Sequence, residues 1–164
     1  MSHSFELIPL LMQRKQTEAT LVQCNQITQK IGLSLSDTQI RTLAEQRIQT
    51  LARTGRMEFG PGILQPLIYR FYGSPYLTQA SYEETILELQ ELFYTFKNET
   101  KDRLSDDELL GVMKALFDGK AQGSVEYLSG VAASRLFQIA RDLAMGSDWR
   151  PEEDEGEGEE DLDE

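Results

Sequence analysis

Apolar residues recur at helical spacing along this chain, and at three places a capping pattern precedes them. Together these features predict a helical fold. Ser36, Ser81 and Ser105 each precede a glutamine or glutamate by three residues. This is the spacing of a capping box, which satisfies free backbone N–H groups at the start of a helix. An apolar stripe of helical period follows each serine and reaches residues 52, 96 and 117. The pattern therefore predicts three well-defined helices.

Three further helices are predicted from apolar spacing alone. One covers residues 17–31 and ends at Gly32. A second lies between Pro61 and Gly73, and because an interior proline breaks or kinks a helix, its regular part should begin near Pro66. The last runs from about residue 125 to residue 145.

The resulting fold class is all-α, a single-domain bundle of about six helices over residues 1–146. Two short pieces, residues 5–8 and 56–59, have the composition of strands. We expect them to add, at most, a minor two-stranded ribbon near the N-terminus.

The acidity of the chain is concentrated in one segment. Residues 151–164 carry ten carboxylates and no basic residue, whereas the whole chain has 28 acidic and 16 basic residues and a charge of −12. The remaining 18 acidic and 16 basic residues give only −2. Dense like charge without aromatic residues is typical of disorder. We predict that residues 147–164 form a disordered acidic tail that the fold does not need.

This charge distribution, together with the missing motifs, excludes several functions. A nearly neutral body offers no basic face for nucleic acid, and the six-residue steps between Arg41, Arg47 and Arg53 do not stack them on one helix face. With one cysteine, Cys24, and one histidine, His3, neither a four-cysteine zinc site nor a hydrolytic triad is expected. We interpret Cys24 as a small buried hydrophobic residue and expect no metal or cofactor.

The same features set expectations for localisation. No apolar run approaches the roughly 18 residues that span a bilayer, and residues 7–12 do not have the charge pattern of a secretion signal. We therefore expect a cytoplasmic protein that does not bind membranes.

Aromatic residues are concentrated between residues 69 and 96, which hold eight of the 14 in the chain. Most fit the apolar stripes, but four tyrosines do not share one buried face: Tyr69, Tyr72, Tyr76 and Tyr94. Tyrosine is favoured at protein interfaces because it offers a large area and a hydroxyl at small entropic cost. These four residues are the predicted partner-binding surface of a non-enzymatic adaptor.

Two glycine-containing junctions offer alternatives. In residues 55–62, Arg56, Gly60 and Gly62 could bind a small anion before a helix, as a regulatory domain would. Residues 118–129 partly match a calcium loop, but Lys120 and Ser129 replace oxygen ligands, so we interpret them as a turn. An enzyme with an unfamiliar site is the third class.

Seven segments together resemble a family of uncharacterised proteins from Gram-positive bacteria. They are SFELIPLL (4–11), EFGPGI (58–63), SPY (74–76), ELQELFY (88–94), FKNE (96–99), SDDEL (105–109) and GSVEYL (123–128). The resemblance extends over about residues 1–145 and omits the acidic tail. It implies a small bacterial domain without an assigned activity, cofactor or site residue.

Overall fold

The computed structural model describes the backbone of residues 2–146 and the side chains of residues 9–146. Within this range lie seven α-helices, which we number α1 (Ser2–Thr28), α2 (Asp37–Arg53), α3 (Leu64–Phe71), α4 (Tyr82–Glu99), α5 (Asp106–Asp118), α6 (Val125–Ser129) and α7 (Ala133–Ala144). No described residue belongs to a strand, so the all-α prediction is confirmed. The predicted acidic tail lies outside the described residues.

The ribbon expected from residues 5–8 and 56–59 is wrong. Helix α1 begins at Ser2 and continues past Pro9, so residues 5–8 are helical. Their backbone groups are used within that helix and are not available to a partner strand. Residues 56–59 form an irregular loop.

Two of the three predicted capping boxes are present. Ser36 Oγ accepts from Gln39 N at 3.1 Å while Gln39 Oε1 accepts from Ser36 N at 2.8 Å. Ser105 and Glu108 make the same pair of bonds at 3.0 and 2.9 Å. Each cap contributes about 1 kcal/mol to stability. At Ser81 the hydroxyl donates instead to the Thr78 carbonyl at 3.4 Å.

The proline and glycine signals set the boundaries of later helices. Helix α3 begins at Leu64, which places Pro66 in its first turn, where a missing N–H removes no helical hydrogen bond. The prediction of a single helix over residues 125–145 is wrong in one respect. The segment is divided at Gly130 into α6 and α7.

The chain forms two compact units. Unit 1 comprises Met1–Gly73 and Leu77–Tyr94, and in it α1 packs against α2 and α3. Its core contains side chains from all four of its helices, including Leu21, Leu43, Leu67 and Phe93.

Unit 2 comprises Ser74–Tyr76 and Thr95–Glu164. In it α5 packs against α6 and α7, around a core that includes Met113, Phe117, Leu128 and Leu136. The single domain expected over residues 1–146 stays a prediction.

Candidate functional site

The loop between α2 and α3, residues 54–63 of unit 1, is held by side chains more than by its backbone. At its start, Gly55 N donates to Ala52 O at 3.2 Å and Arg56 N to Leu51 O at 2.8 Å, which closes the end of α2. From residue 57 to residue 62, no backbone N–H donates to a backbone carbonyl among the described residues. What fixes this part of the loop must therefore come from elsewhere.

Glu58 at the centre of the loop points inward to two buried side chains. Arg47 of α2 donates from Nη2 to Glu58 Oε1 at 3.1 Å, and Tyr94 of α4 donates from its hydroxyl to the same oxygen at 2.7 Å. Arg47 and Tyr94 are both 0% exposed, whereas the Glu58 side chain is 25% exposed. A buried arginine needs a paired carboxylate, and Glu58 supplies it.

Side chains of helix α1 also hold the loop, by donating to backbone carbonyls of the loop. Gln13 Nε2 donates to Glu58 O, and Thr17 Oγ1 donates to Pro61 O at 3.1 Å. Thr17 also accepts from Arg47 Nη1 at 3.4 Å. The loop is therefore fixed to α1, α2 and α4 around one buried guanidinium.

Gly62 is required by the position of that guanidinium. Its φ is +86°, and a Cβ at this position would lie 2.1 Å from Arg47 Nε. Any other residue would have to displace Arg47, so the glycine makes room for the ion pair.

The hydroxyl of Tyr94 remains a proton donor over the ordinary pH range. Burial, and then the negative charge of Glu58, raise the pKa of Tyr94 above its usual value of 10.0. The ionised form would place two negative charges in one buried site. The Tyr94–Glu58 contact is thus a stable hydrogen bond between a neutral donor and a carboxylate.

The residues on either side of Glu58 point outward. Met57 is 81% exposed and Phe59 is 82% exposed. The loop therefore holds Glu58 against buried partners and places two large apolar side chains in solvent. Exposed apolar side chains of this size provide contact area for another molecule.

The four tyrosines predicted to bind a partner differ in exposure and in contacts. Tyr94 is buried beside Glu58, so we leave it out of any partner surface. Tyr69 is 37% exposed, and Tyr72 is half-buried.

Tyr76 belongs to unit 2, where its ring packs edge-on against Phe117 with centroids 6.3 Å apart. A Cβ added to Gly123 would lie 2.6 Å from the Cβ of Tyr76. Tyr76 therefore has a packing role in that unit.

The three residues predicted to bind an anion all lie in the 54–63 loop. Gly62 lies against Arg47, whose Nη2 is already paired with Glu58. Gly60 has a positive φ of +85° with open space around it, and Arg56 is half-buried. An anion here would have to compete with the Glu58 carboxylate for Arg47.

Sequence reasoning missed the pair that organises this loop. Arg47 lies four residues after Leu43 and three after Ala44, which are both buried, so it occupies the apolar stripe of α2. An arginine on such a stripe indicates a buried cation that needs a carboxylate. That signal could have singled out Arg47, but not Glu58 as its partner.

The single cysteine, Cys24, is buried as a free thiol. Burial raises the pKa of Cys24 to about 11, more than the hydrogen bond to Tyr69 lowers it, so the thiol is protonated and unreactive. In the described part of the chain, no three His, Cys, Asp or Glu residues are grouped as metal ligands. No helix in that part is long and apolar enough to cross a membrane.

Comparison with known proteins identifies the family. A family model described as "Family of unknown function (DUF6323)" matches residues 20–146, which is most of the chain, so the chain belongs to that family. The resemblance to an uncharacterised family is thereby confirmed. Neither a curated protein nor a solved structure matches the chain.

Proposed function

We propose that this member of the DUF6323 family is a non-enzymatic protein-binding module whose contact surface is the tip of the 54–63 loop. The observation that carries the proposal is the opposite orientation of neighbouring side chains. Glu58 is bonded inward to Arg47 and Tyr94, while Met57 and Phe59 are 81% and 82% exposed.

A fixed loop of this kind is suited to binding for two reasons. Its conformation is set before a partner arrives, which reduces the entropy lost on association. Methionine and phenylalanine also supply adaptable and aromatic contact area, and both are enriched at interfaces. The partner should therefore present a shallow apolar pocket that takes the two side chains together.

Substitution of the two contact residues tests this proposal. The full chain carrying Met57→Ser and Phe59→Ser should keep its stability within about 0.5 kcal/mol, because both side chains are exposed. Its capture of partner from native lysate should fall by about 30-fold, the equivalent of about 2 kcal/mol for a central contact. Quantitative mass spectrometry of the captured proteins measures the change.

A matched control removes apolar area elsewhere on unit 1. Val22→Ser with Ile31→Ser changes two exposed aliphatic residues outside the loop and should leave the captured set intact. If both double variants lose the same proteins, or neither loses any, the loop is not the contact surface. A Tyr72→Ala/Tyr76→Ala variant tests the tyrosines predicted from the sequence in the same assay.

A regulatory domain that binds a small anion at Arg56, Gly60 and Gly62 is the alternative. Thermal-shift screening with inorganic phosphate and phosphorylated metabolites separates the two functions. Ligand binding to the folded state raises the melting temperature by mass action, whereas a module that only binds protein gives no shift.

A further inference from the structure

A groove in unit 2 combines an apolar floor with two arginines. It lies between the segment that enters α5 and one face of α7, and its volume is about 580 Å³. Leu104, Phe137, Ala140 and Ala144 contribute apolar surface, and Arg103 and Arg141 stand beside them. The volume is within the usual range of ligand and peptide sites, about 300–1,000 Å³.

The two arginines are available to an anionic group. The Arg103 guanidinium lies over the Phe137 ring, with Cζ 4.7 Å from the ring centroid, and the Arg103 residue is exposed. Neither Arg103 nor Arg141 forms an ion pair with a carboxylate of the described residues. Glu108 also lines the groove, but its Oε1 already accepts from Ser105 N at 2.9 Å in the cap of α5.

The chain carries a segment of complementary chemistry directly beyond the groove. Ala144, the last residue of α7, lines the groove, and residues 147–164 follow soon after. These residues contain eleven carboxylates, against the single basic residue Arg150, and the only tryptophan, Trp149. Because a chain spans up to about 3.3 Å per residue, Trp149 can reach Phe137 and the acidic residues beyond it can reach both arginines.

We propose that this groove binds the acidic tail of its own chain, with carboxylates on Arg103 and Arg141 and Trp149 against Phe137. Charge complementarity and covalent attachment both favour this occupant. A tethered segment has an effective concentration in the millimolar range, so weak contacts are sufficient to fill the groove.

Trp149 fluorescence of the full chain tests the proposal, since no other tryptophan contributes. At low salt, the emission should be blue-shifted and acrylamide quenching severalfold weaker than for a synthetic peptide of residues 147–164. Raising the salt to about 1 M shortens the screening length to about 3 Å and should remove most of this difference. Arg103→Ala with Arg141→Ala should remove it at low salt, with helicity unchanged.

The control variant Lys15→Ala with Arg41→Ala removes the same charge from exposed positions of unit 1. It should retain the blue shift and the weak quenching. The proposal is overturned if the full chain already matches the free peptide, or if both double variants lose the effect equally. A shift that grows with protein concentration would also overturn it, because the groove would then bind the tail of a second copy.

Discussion

Two glycine-containing junctions of this chain are closed in different ways. The junction after α5, residues 119–124, is closed by its own backbone: Ala121 N donates to Leu116 O at 3.0 Å and Gly123 N to Phe117 O at 2.8 Å. The 54–63 loop has no such bonds beyond Arg56 among the described residues, and Arg47, Tyr94, Gln13 and Thr17 hold it instead.

This difference in closure distinguishes the 119–124 junction, a structural turn, from the 54–63 loop, a candidate binding element. In the first junction Ala121 is buried and Tyr76 packs on Gly123, so the turn contributes one apolar side chain to unit 2 and lies against another. In the second, the Glu58 carboxylate is bonded to two buried side chains, and its neighbours Met57 and Phe59 are left in solvent. Removing the buried ion pair should therefore affect the second junction most strongly.

Arg47→Met should have the largest effect. It keeps most of the side-chain volume but leaves Glu58 facing apolar surface, and breaking a buried ion pair costs about 3–5 kcal/mol. Because Glu58 is partly exposed, we expect about 3 kcal/mol in urea unfolding, near the lower end of that range. Arg41→Met on the exposed face of α2 is the control, and an equal loss there would contradict a special role for Arg47.

Gly123→Ala tests the backbone-closed turn. The new Cβ would meet Tyr76 at 2.6 Å in a backbone of φ +83°, whereas Gly32→Ala has a similar φ of +90° and nothing within 4 Å. Gly123→Ala should therefore cost about 2 kcal/mol more than Gly32→Ala in the same unfolding assay. Equal losses would show that Tyr76 does not pack closely on this turn.

Tyr94→Phe removes one of the two donors to Glu58 and keeps the ring. We expect the free energy of unfolding to fall by about 1–2 kcal/mol, because the Glu58 carboxylate loses one hydrogen bond but keeps its ion pair with Arg47. Partner capture should fall as well, since the loop becomes less fixed. A variant with unchanged stability and capture would show that Arg47 alone is sufficient.

Stability should fall at alkaline pH, and part of the fall depends on Tyr94. Its pKa is raised in the folded state, so the folded chain keeps a proton that the unfolded chain loses above its ordinary pKa of 10.0. The stability that Tyr94 contributes is therefore complete below pH 10 and declines above it. Cys24 and Tyr82, with pKa values raised to about 11 and about 12, add to the decline. Tyr94→Phe should show a shallower fall in alkaline unfolding, and an unchanged slope would contradict this role.

Removal of residues 147–164 should have the smallest effect. Helicity should stay the same, and the stability lost with a weakly bound tail should be below about 1 kcal/mol. Circular dichroism melting of the shortened chain measures both. A loss of several kcal/mol would show that the tail contributes to the core of the fold.

The comparison also shows what could be predicted from sequence. The boxes at Ser36 and Ser105 were predictable because a cap depends on residues three apart, and the start of α3 near Pro66 followed from the missing proline N–H. The turn at residues 119–124 could likewise be recognised from its glycines, whereas residues 125–129 of the same junction form helix α6. Local patterns thus predicted two of the three capping boxes and this turn, but the box expected at Ser81 is absent.

The 54–63 loop could not be predicted in the same way. Arg47 pairs with Glu58 across the end of α2, and Tyr94 joins them from 36 residues further along the chain. Neither contact has a local signature. The prediction of a tyrosine surface was limited for a related reason, since helical spacing alone did not show that Tyr94 is buried. Long-range burial of polar groups therefore required the structure.

The central claim is that the 54–63 loop is a preformed contact surface. Its most direct test is a photoreactive phenylalanine analogue placed at Phe59 and, in a second full-length chain, at Tyr76. In native lysate, we expect a discrete protein adduct from position 59 that Met57→Ser weakens, and little or none from position 76. An adduct from position 76 alone, or none from position 59, would contradict the account.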